Sequence, residues 1–447
     1  MYKGTAKARF DASGIEAGDT IRVSKASQQY TGILMPRPGI GDPSCAILKL
    51  KTGYNIGIEI TKETLIELVS KGEPAKIPDA QAASPAEAAP AAGFVSFIGC
   101  GGTIASKIDY RLGAVNPAIT AGELVSSFPE VARITPIRSK MLFSVFSEDM
   151  NAYHWQQIAY DIEDQVKDGA EGIVLMHGTD TMGYSAAAIS LMVQNPQVPI
   201  VFVGAQRSSD RGSSDNRVNV MCATRAAKSD IANVSLCMHG SSSDDYCYLL
   251  PGTNVRKMHT SRRDAFQSIN RPPLARIDYP SGRISQVSQY ARTRKQNAGM
   301  MKIAPDMNQN VALVYTYPGI KPDIFNSLSN YDGVVIAGTG LGHVPTNANS
   351  DPYSTSVMSA IKSLVDSNVI VAMAPQTIFG RINMNIYTAG RMLLDIGVIG
   401  NGCDWTPDMA FVKLMWSLGQ VRGHAKAKAL MLENVAGEIS ERIELEQ

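Results

Sequence analysis

A chain of 447 residues is too long for one ordinary domain and long enough to bury two or three separate cores. Its 42 Lys and Arg almost cancel its 41 Asp and Glu, leaving a formal net charge of +1. That balance excludes a chain that grips nucleic-acid phosphates over its whole surface, so any RNA would be met through a local patch or another subunit. No apolar run approaches the roughly 18 residues of a membrane helix, and the first residues lack a signal-peptide core, so a cytoplasmic protein is expected.

In chain order, short β-rich runs come first, at residues 20–23, 30–35, 46–50 and 54–60. Gly, Pro and Asp separate them closely, which predicts a small β-barrel over residues 1–71, of a docking or spacer kind. Residues 72–93 are rich in Ala and Pro, with no large apolar side chain after Ile77, and read as a linker. Beyond it the pattern changes to apolar runs that end in glycine-rich loops, at 94–98, 172–176, 199–203, 311–315, 334–337 and 369–373. Apolar on both faces, these suit parallel strands covered by helices, so the fold class is α/β. A helix is expected after Asn151, because Trp155, Ile158, Ala159, Ile162 and Val166 share one face and Asn151 stands ready to cap. Weaker periodicity over 280–308 divides a larger first lobe from a smaller second one.

The six cysteines, Cys45, Cys100, Cys222, Cys237, Cys247 and Cys403, form no C-x-x-C pair, which fits a reducing compartment. The six histidines have no metal-ligand spacing, so no metal site is expected. Chemistry is sought instead where parallel strands end. Gly99-Cys100-Gly101-Gly102-Thr103-Ile104-Ala105-Ser106 follows the run 94–98. It is neither a dinucleotide fingerprint, since Ile104 stands in place of the third glycine, nor a P-loop, since the G-K-[ST] ending is missing. What remains is a hydroxyl, Thr103, among glycines whose N–H groups approach a substrate oxyanion closely. His177-Gly178-Thr179-Asp180-Thr181 likewise ends the run 172–176 and precedes a helical stretch over 182–193, so one of its hydroxyls either caps that helix or meets a ligand. Lys257 lies in a basic stretch. Threonine is a poor nucleophile at neutral pH and needs a base, a role open to a desolvated lysine oriented by a carboxylate. Ser147 and Glu148, just before the helix at Asn151, offer a place for an α-carboxylate at a helix N-terminus, with Glu148 or Asp180 for an α-ammonium. Capping chemistry is the plain alternative.

With these segments in order, residues 94 to about 420 resemble the asparaginase family, whose G-G-T-I-A and H-G-T-D-T motifs both occur. The resemblance implies an asparaginase-like two-lobed parallel-sheet core, with an N-terminal lobe over 94–300 and a C-terminal α/β lobe over 301–447. It further implies amide hydrolysis through an acyl-threonine, with Thr103 as nucleophile and Thr179, Asp180 and Lys257 as the second catalytic set. Ser147 and Glu148 then bind substrate, Tyr110 is a mobile lid, and the core is a homodimer. The N-terminal barrel, with 30–37, 203–210, 257–264, 338–343 and 381–385, resembles one branch of that family, the D subunits of archaeal glutamyl-tRNA(Gln) amidotransferases. In that branch the D subunit hydrolyses glutamine and needs no cofactor of its own. The ammonia passes to an E subunit that uses ATP and Mg to convert Glu-tRNA(Gln) to Gln-tRNA(Gln). Cys100, where threonine is usual, and Gly212, where proline is common, depart from the pattern. A thiol at position 100 raises the prospect of oxidation sensitivity. The rival expectations are a free-standing asparaginase or glutaminase, and a non-catalytic RNA-binding or scaffold protein using the barrel and the basic stretch.

Overall fold

The computed structural model describes residues 2–443 except 26–27, 37–41, 43, 51–54, 73–92, 102–105, 110–113, 118–129, 208–213 and 298, with backbone alone for 106–109 and 114–117. A short helix α1 (Gly4–Ala12) precedes strands β1 (Thr20–Lys25), β2 (Gln28–Leu34), β3 (Cys45–Leu50), β4 (Asn55–Glu59) and β5 (Leu65–Ser70). They pair antiparallel in the order β4-β3-β2-β1-β5. Ile21, Val23, Leu34, Ala46 and Leu48 alternate onto one buried face, where Ala6 and Phe10 of α1 join them. Two buried residues leave too narrow a stripe to announce α1 in the sequence. The outward-facing β5 carries no alternation either, and its Leu65 is 65% exposed. The expected linker lies outside the described residues except Gly72 and Gly93.

The next strands are β6 (Phe94–Gly101), a backbone pair β7 (Ser106–Asp109) and β8 (Ala114–Pro117), and β9 (Ile137–Val145). Helix α2 (Ala152–Lys167) follows, capped by Asn151, whose side chain accepts from Tyr153 N at 3.0 Å while its own N–H donates to His154 Nδ1 at 3.2 Å. Trp155, Ile158, Ala159 and Ile162 are buried as the spacing predicts. Then come β10 (Ala170–Met176), α3 (Met182–Met192), β11 (Val193–Gln194), β12 (Ile200–Val203), α4 (Asn216–Ala227), β13 (Val234–His239) and β14 (Tyr246–Pro251). A ribbon β15 (Val255–Lys257) and β16 (Phe266–Ser268) precedes β17 (Ala275–Asp278), β18 (Ile284–Gln286) and β19 (Lys302–Ile303). Eight strands form one mixed sheet in the order β18-β17-β14-β13-β12-β10-β6-β9. Its β13-β12-β10-β6-β9 portion is parallel.

The last part of the chain holds β20 (Val311–Tyr315), α5 (Pro322–Asn326), β21 (Gly333–Gly338), α6 (Met358–Asp366), β22 (Ile370–Pro375), α7 (Thr388–Asp395), α8 (Pro407–Gln420) and α9 (His424–Leu432). Here β20-β21-β22 make a parallel three-stranded sheet. Helix α3 is apolar nearly all round, because α8 packs on the side it turns away from the large sheet. One core therefore runs from Phe94 and Ile98 through Ala186 and Ile189 to Met409, Leu414 and Trp416. Asn270 adds a polar tie between the two sheets' surroundings: its Nδ2 donates to Asp404 O at 2.7 Å and its Oδ1 accepts from Gly380 N at 2.8 Å.

Gly101 ends β6 at φ +92°, and a Cβ there would lie 2.1 Å from Val145 O. Both the conformation and the space demand glycine two residues before Thr103. Gly101→Ala is expected to cost about 1–3 kcal/mol and lower the thermal midpoint by several degrees; an unchanged melting curve contradicts this packing.

Candidate active site

Register at the carboxyl edge of the large sheet gathers the loops. Met176 of β10 pairs with Gly99 of β6, and Gly101 of β6 with Val145 of β9. The His177–Thr181 turn, the end of β6 and the Ser147–Asp149 turn thus leave three adjacent parallel strands, the position where open α/β sheets bind ligands. A hydrogen bond of 2.5 Å from Thr181 Oγ1 to Ser147 O ties two of the loops. Thr181 stands at the N-cap of α3 but makes no capping bond with its side chain, so the hydroxyls of this turn serve tertiary contacts rather than the helix.

Lys257 reaches this edge from the β15–β16 ribbon. Its Nζ donates to Thr179 Oγ1 at 2.9 Å and to Asp180 Oδ1 at 2.7 Å, across 78 and 77 residues of chain. Thr179 is buried and the Lys257 side chain is only 15% exposed, whereas that of Asp180 is 69% exposed. The ammonium is therefore shielded and held by charge-assisted bonds, while the carboxylate also faces outward, where a ligand's ammonium can meet it. Ser147 is buried beside them, with its Oγ donating to the exposed Glu148 Oε2 at 3.4 Å.

The turn that carries Thr179 is held from below. His177, fully buried, faces Gly178 O through Nδ1 at 2.7 Å and Ser185 Oγ through Nε2 at 2.9 Å. Trp155 Nε1 donates to Ser185 Oγ at 2.8 Å, leaving the serine hydroxyl to donate to Nε2 and the imidazole to donate from Nδ1 to the carbonyl. Burial pulls the His177 pKa down to about 4, so the ring is a neutral strut. Gly204 supplies the room: a Cβ there would lie 2.8 Å from Thr179 Cγ2 and 2.9 Å from His177 O. The following turn is fixed by the buried Asp215 carboxylate, which accepts from Gln206 N, Arg207 N and Asn219 Nδ2.

Beside the lysine opens a cleft of about 190 Å³ lined by Asp180, Gly183, Tyr184, Arg256, Lys257 and Asp408. Arg256 Nη2 donates to Tyr315 Oη at 3.2 Å, and its Nε lies 3.9 Å from Asp408 Oδ2. Burial, then the Asp408 carboxylate, pushes the Tyr184 phenol up and keeps it protonated. Burial works against the Arg256 charge, but Asp408 and Tyr315 outweigh it and its pKa is raised.

Of the residues expected at the site, Thr179, Asp180 and Lys257 come together, and Ser147 and Glu148 lie on the neighbouring turn. Thr103 and Tyr110 lie outside the described residues. Cys100 is fully buried, and burial pushes its thiol far up, so it is a packed neutral group and not an oxidation-prone thiolate. Sequence reading missed the roles of Tyr184, Ser185, Gly204, Asp215 and Asp408: Asp408 and Gly204 act across the fold, and Asp215 acts on backbone N–H groups eight and nine residues away, so local spacing marks none of them. Among the described residues no group of three His, Cys, Asp or Glu side chains is placed to hold a metal ion. No described helix is long and apolar enough to cross a membrane.

Comparison with known proteins matches residues 94–290 to the model of the asparaginase N-terminal domain and residues 310–431 to that of the glutaminase/asparaginase C-terminal domain. Residues 15–69 match the GatD N-terminal domain. The chain is 45% identical to the D subunit of the glutamyl-tRNA(Gln) amidotransferase of Pyrococcus furiosus, over 96% of this chain and 95% of that one. It is 44% identical to the corresponding D subunit of Methanothermobacter thermautotrophicus, over 99% and 98%. Among solved structures it resembles the thermostable L-asparaginase from Thermococcus kodakarensis, with TM-score 0.68, 26% identity, and 78% of this chain and all of that one covered. L-asparaginase I from Vibrio cholerae aligns with TM-score 0.66 and 28% identity over 78% of this chain and 100% of that one.

The depressed His177 pKa has a stability consequence. An unfolded histidine takes a proton below about 6.5, while the buried ring resists it down to about 4, so the His177 contribution opposes folding increasingly as pH falls through that window. Between pH 7 and pH 5 it is expected to remove about 2 kcal/mol. Denaturant titration of the native chain against His177→Gln checks this; equal pH slopes for the two contradict it.

Proposed function

Since the chain belongs to the family of glutamyl-tRNA(Gln) amidotransferase D subunits, we propose that it is the glutamine-hydrolysing subunit of a tRNA-dependent amidotransferase, acting through an acyl-threonine. The observation that carries this reading is the shielded Lys257 ammonium donating to both Thr179 and Asp180. Lys257 Nζ lies within hydrogen-bond reach of a threonine hydroxyl, the place the relay's base must take, and Asp180 orients it. Thr103 is the nucleophile. Its oxygen attacks the side-chain amide carbon, and backbone N–H groups of the glycine loop stabilise the oxyanion. The hydroxyl proton, relayed through Thr179 and Lys257, goes to the leaving nitrogen, which departs as ammonia. Water then cleaves the acyl-threonine ester to glutamate. Ser147 and Glu148 hold the α-carboxylate and α-ammonium of the substrate, and Tyr110 closes over it.

The ammonia is consumed by a partner E subunit, which activates Glu-tRNA(Gln) with ATP and Mg in the cytoplasm. A net charge of +1 supports leaving most of the tRNA grip to that partner. The asparaginase-like core is a homodimer in this reading. The chain's own half-reaction needs only water.

In the assembled enzyme, Lys257→Met is expected to slow glutamine-dependent ammonia release by roughly two to four orders of magnitude. Thr103→Val should abolish it, with added ammonium restoring Gln-tRNA(Gln) formation. Undiminished release in either variant overturns the assigned role of that residue, and full-speed hydrolysis by the isolated chain, indifferent to partner and tRNA, overturns the amidotransferase reading.

A further inference from the structure

Thr179 and Lys257 are not held with equal firmness. Thr179 follows β10, a central strand of the large sheet, and rests on the buried His177 and Ser185. Lys257 ends a three-residue strand that, among the described residues, pairs only with β16, in a ribbon outside that sheet. The single apolar anchor within β15 is the buried Val255. A lysine so placed needs further support to stay within hydrogen-bond reach of Thr179 and Asp180.

That support comes from the other lobe. Asp408 lies in the first turn of α8, yet lines the same cleft as Lys257 and Asp180. Its carboxylate faces the Arg256 guanidinium, next to Lys257 in the chain, and the Tyr184 hydroxyl, in the first turn of α3 just after Asp180. The two elements that bring the relay together thus meet on one C-terminal carboxylate. Packing reinforces the arrangement: the rings of Tyr184 and Phe411 stand edge to face at 6.3 Å, and Arg256 also donates to Tyr315 at the end of β20.

We propose that Asp408 is a positioning residue for the relay: by joining Arg256 and Tyr184 it holds Lys257 against Thr179 and Asp180. The inference rests on reading those three residues as catalytic. It makes turnover in the N-terminal lobe depend on how α8 of the C-terminal lobe is seated. A purely structural carboxylate, placed favourably in the first turn of a helix, would instead change stability and leave chemistry alone.

The test measures kcat, KM and thermal midpoint for glutamine hydrolysis by the assembled enzyme carrying Asp408→Asn, Arg256→Gln or both, with Lys257→Met as reference. A displaced relay lowers kcat about 10- to 100-fold with little change in KM. In the double variant the losses should not multiply, because both changes break the same contact. Asp408→Glu, which keeps the charge, should recover part of the rate. If Asp408→Asn fails to fold, Arg256→Gln and Tyr184→Phe, alone and together, pose the same question with Asp408 in place. Wild-type kcat in Asp408→Asn or in this second pair, or losses that multiply, overturns the inference while an inactive Lys257→Met leaves the relay standing. An active Lys257→Met overturns the relay itself and the positioning role with it.

Discussion

The donation of one ammonium to two partners, Lys257 Nζ to Thr179 and Asp180, is the constraint around which the rest is arranged. Three elements of unrelated sequence position must agree within a few tenths of an ångström for it to form. The parallel register delivers the Thr179 turn. A neutral histidine strut and the absence of a side chain at Gly204 hold that turn in place. The ribbon delivers the lysine. A shift in any of these lengthens bonds whose strength depends on short, shielded, charge-assisted geometry.

The two sheets are also joined through one core. Helix α3, which starts immediately after the Thr179 turn, is buried on nearly every side, because the large sheet lies on one face and α8 on the other. The C-terminal lobe is thereby part of the floor of the site. Further polar ties run the same way. Arg271 donates to Ser440 and Ile439, and the fully buried Lys413–Glu438 pair clasps the end of the chain against α8. Such a pair is retained only where its remaining hydrogen bonds are met, and Glu438 also accepts from Val435 N and Ala436 N.

Much of this was legible in the residues alone, for identifiable reasons. Runs apolar on both faces mark the parallel strands β6, β10, β12, β20, β21 and β22, whereas β9 and β13, which are also parallel, were not read from the sequence. Asn151 and the spacing from Trp155 to Ile162 marked α2, because cap and stripe agree. The motifs around Thr179 and Asp180 stood at strand ends, where chemistry is expected. Two further kinds of feature stayed hidden. Elements with little buried surface, such as α1 and β5, have no stripe to read. Contacts made across the fold, such as Asp408 with Arg256 or Trp155 with Ser185, leave no trace in local spacing. By spacing alone Lys257 is one charge in a basic run, and its bond to the buried Thr179 distinguishes it from Arg262 and Arg263, whose ion pairs are with Asp264 and Asp244.

The proposed function turns on Lys257 activating a threonine for covalent attack on an amide. The most direct measurement is the site and the Lys257 dependence of labelling by a diazoketone analogue of glutamine, mapped by peptide mass spectrometry on the assembled enzyme. One adduct per chain is predicted, on Thr103, formed at least about 100-fold more slowly when Lys257 is replaced by methionine. Labelling that falls outside the threonines of the site, or that proceeds at the same rate without Lys257, would contradict that role.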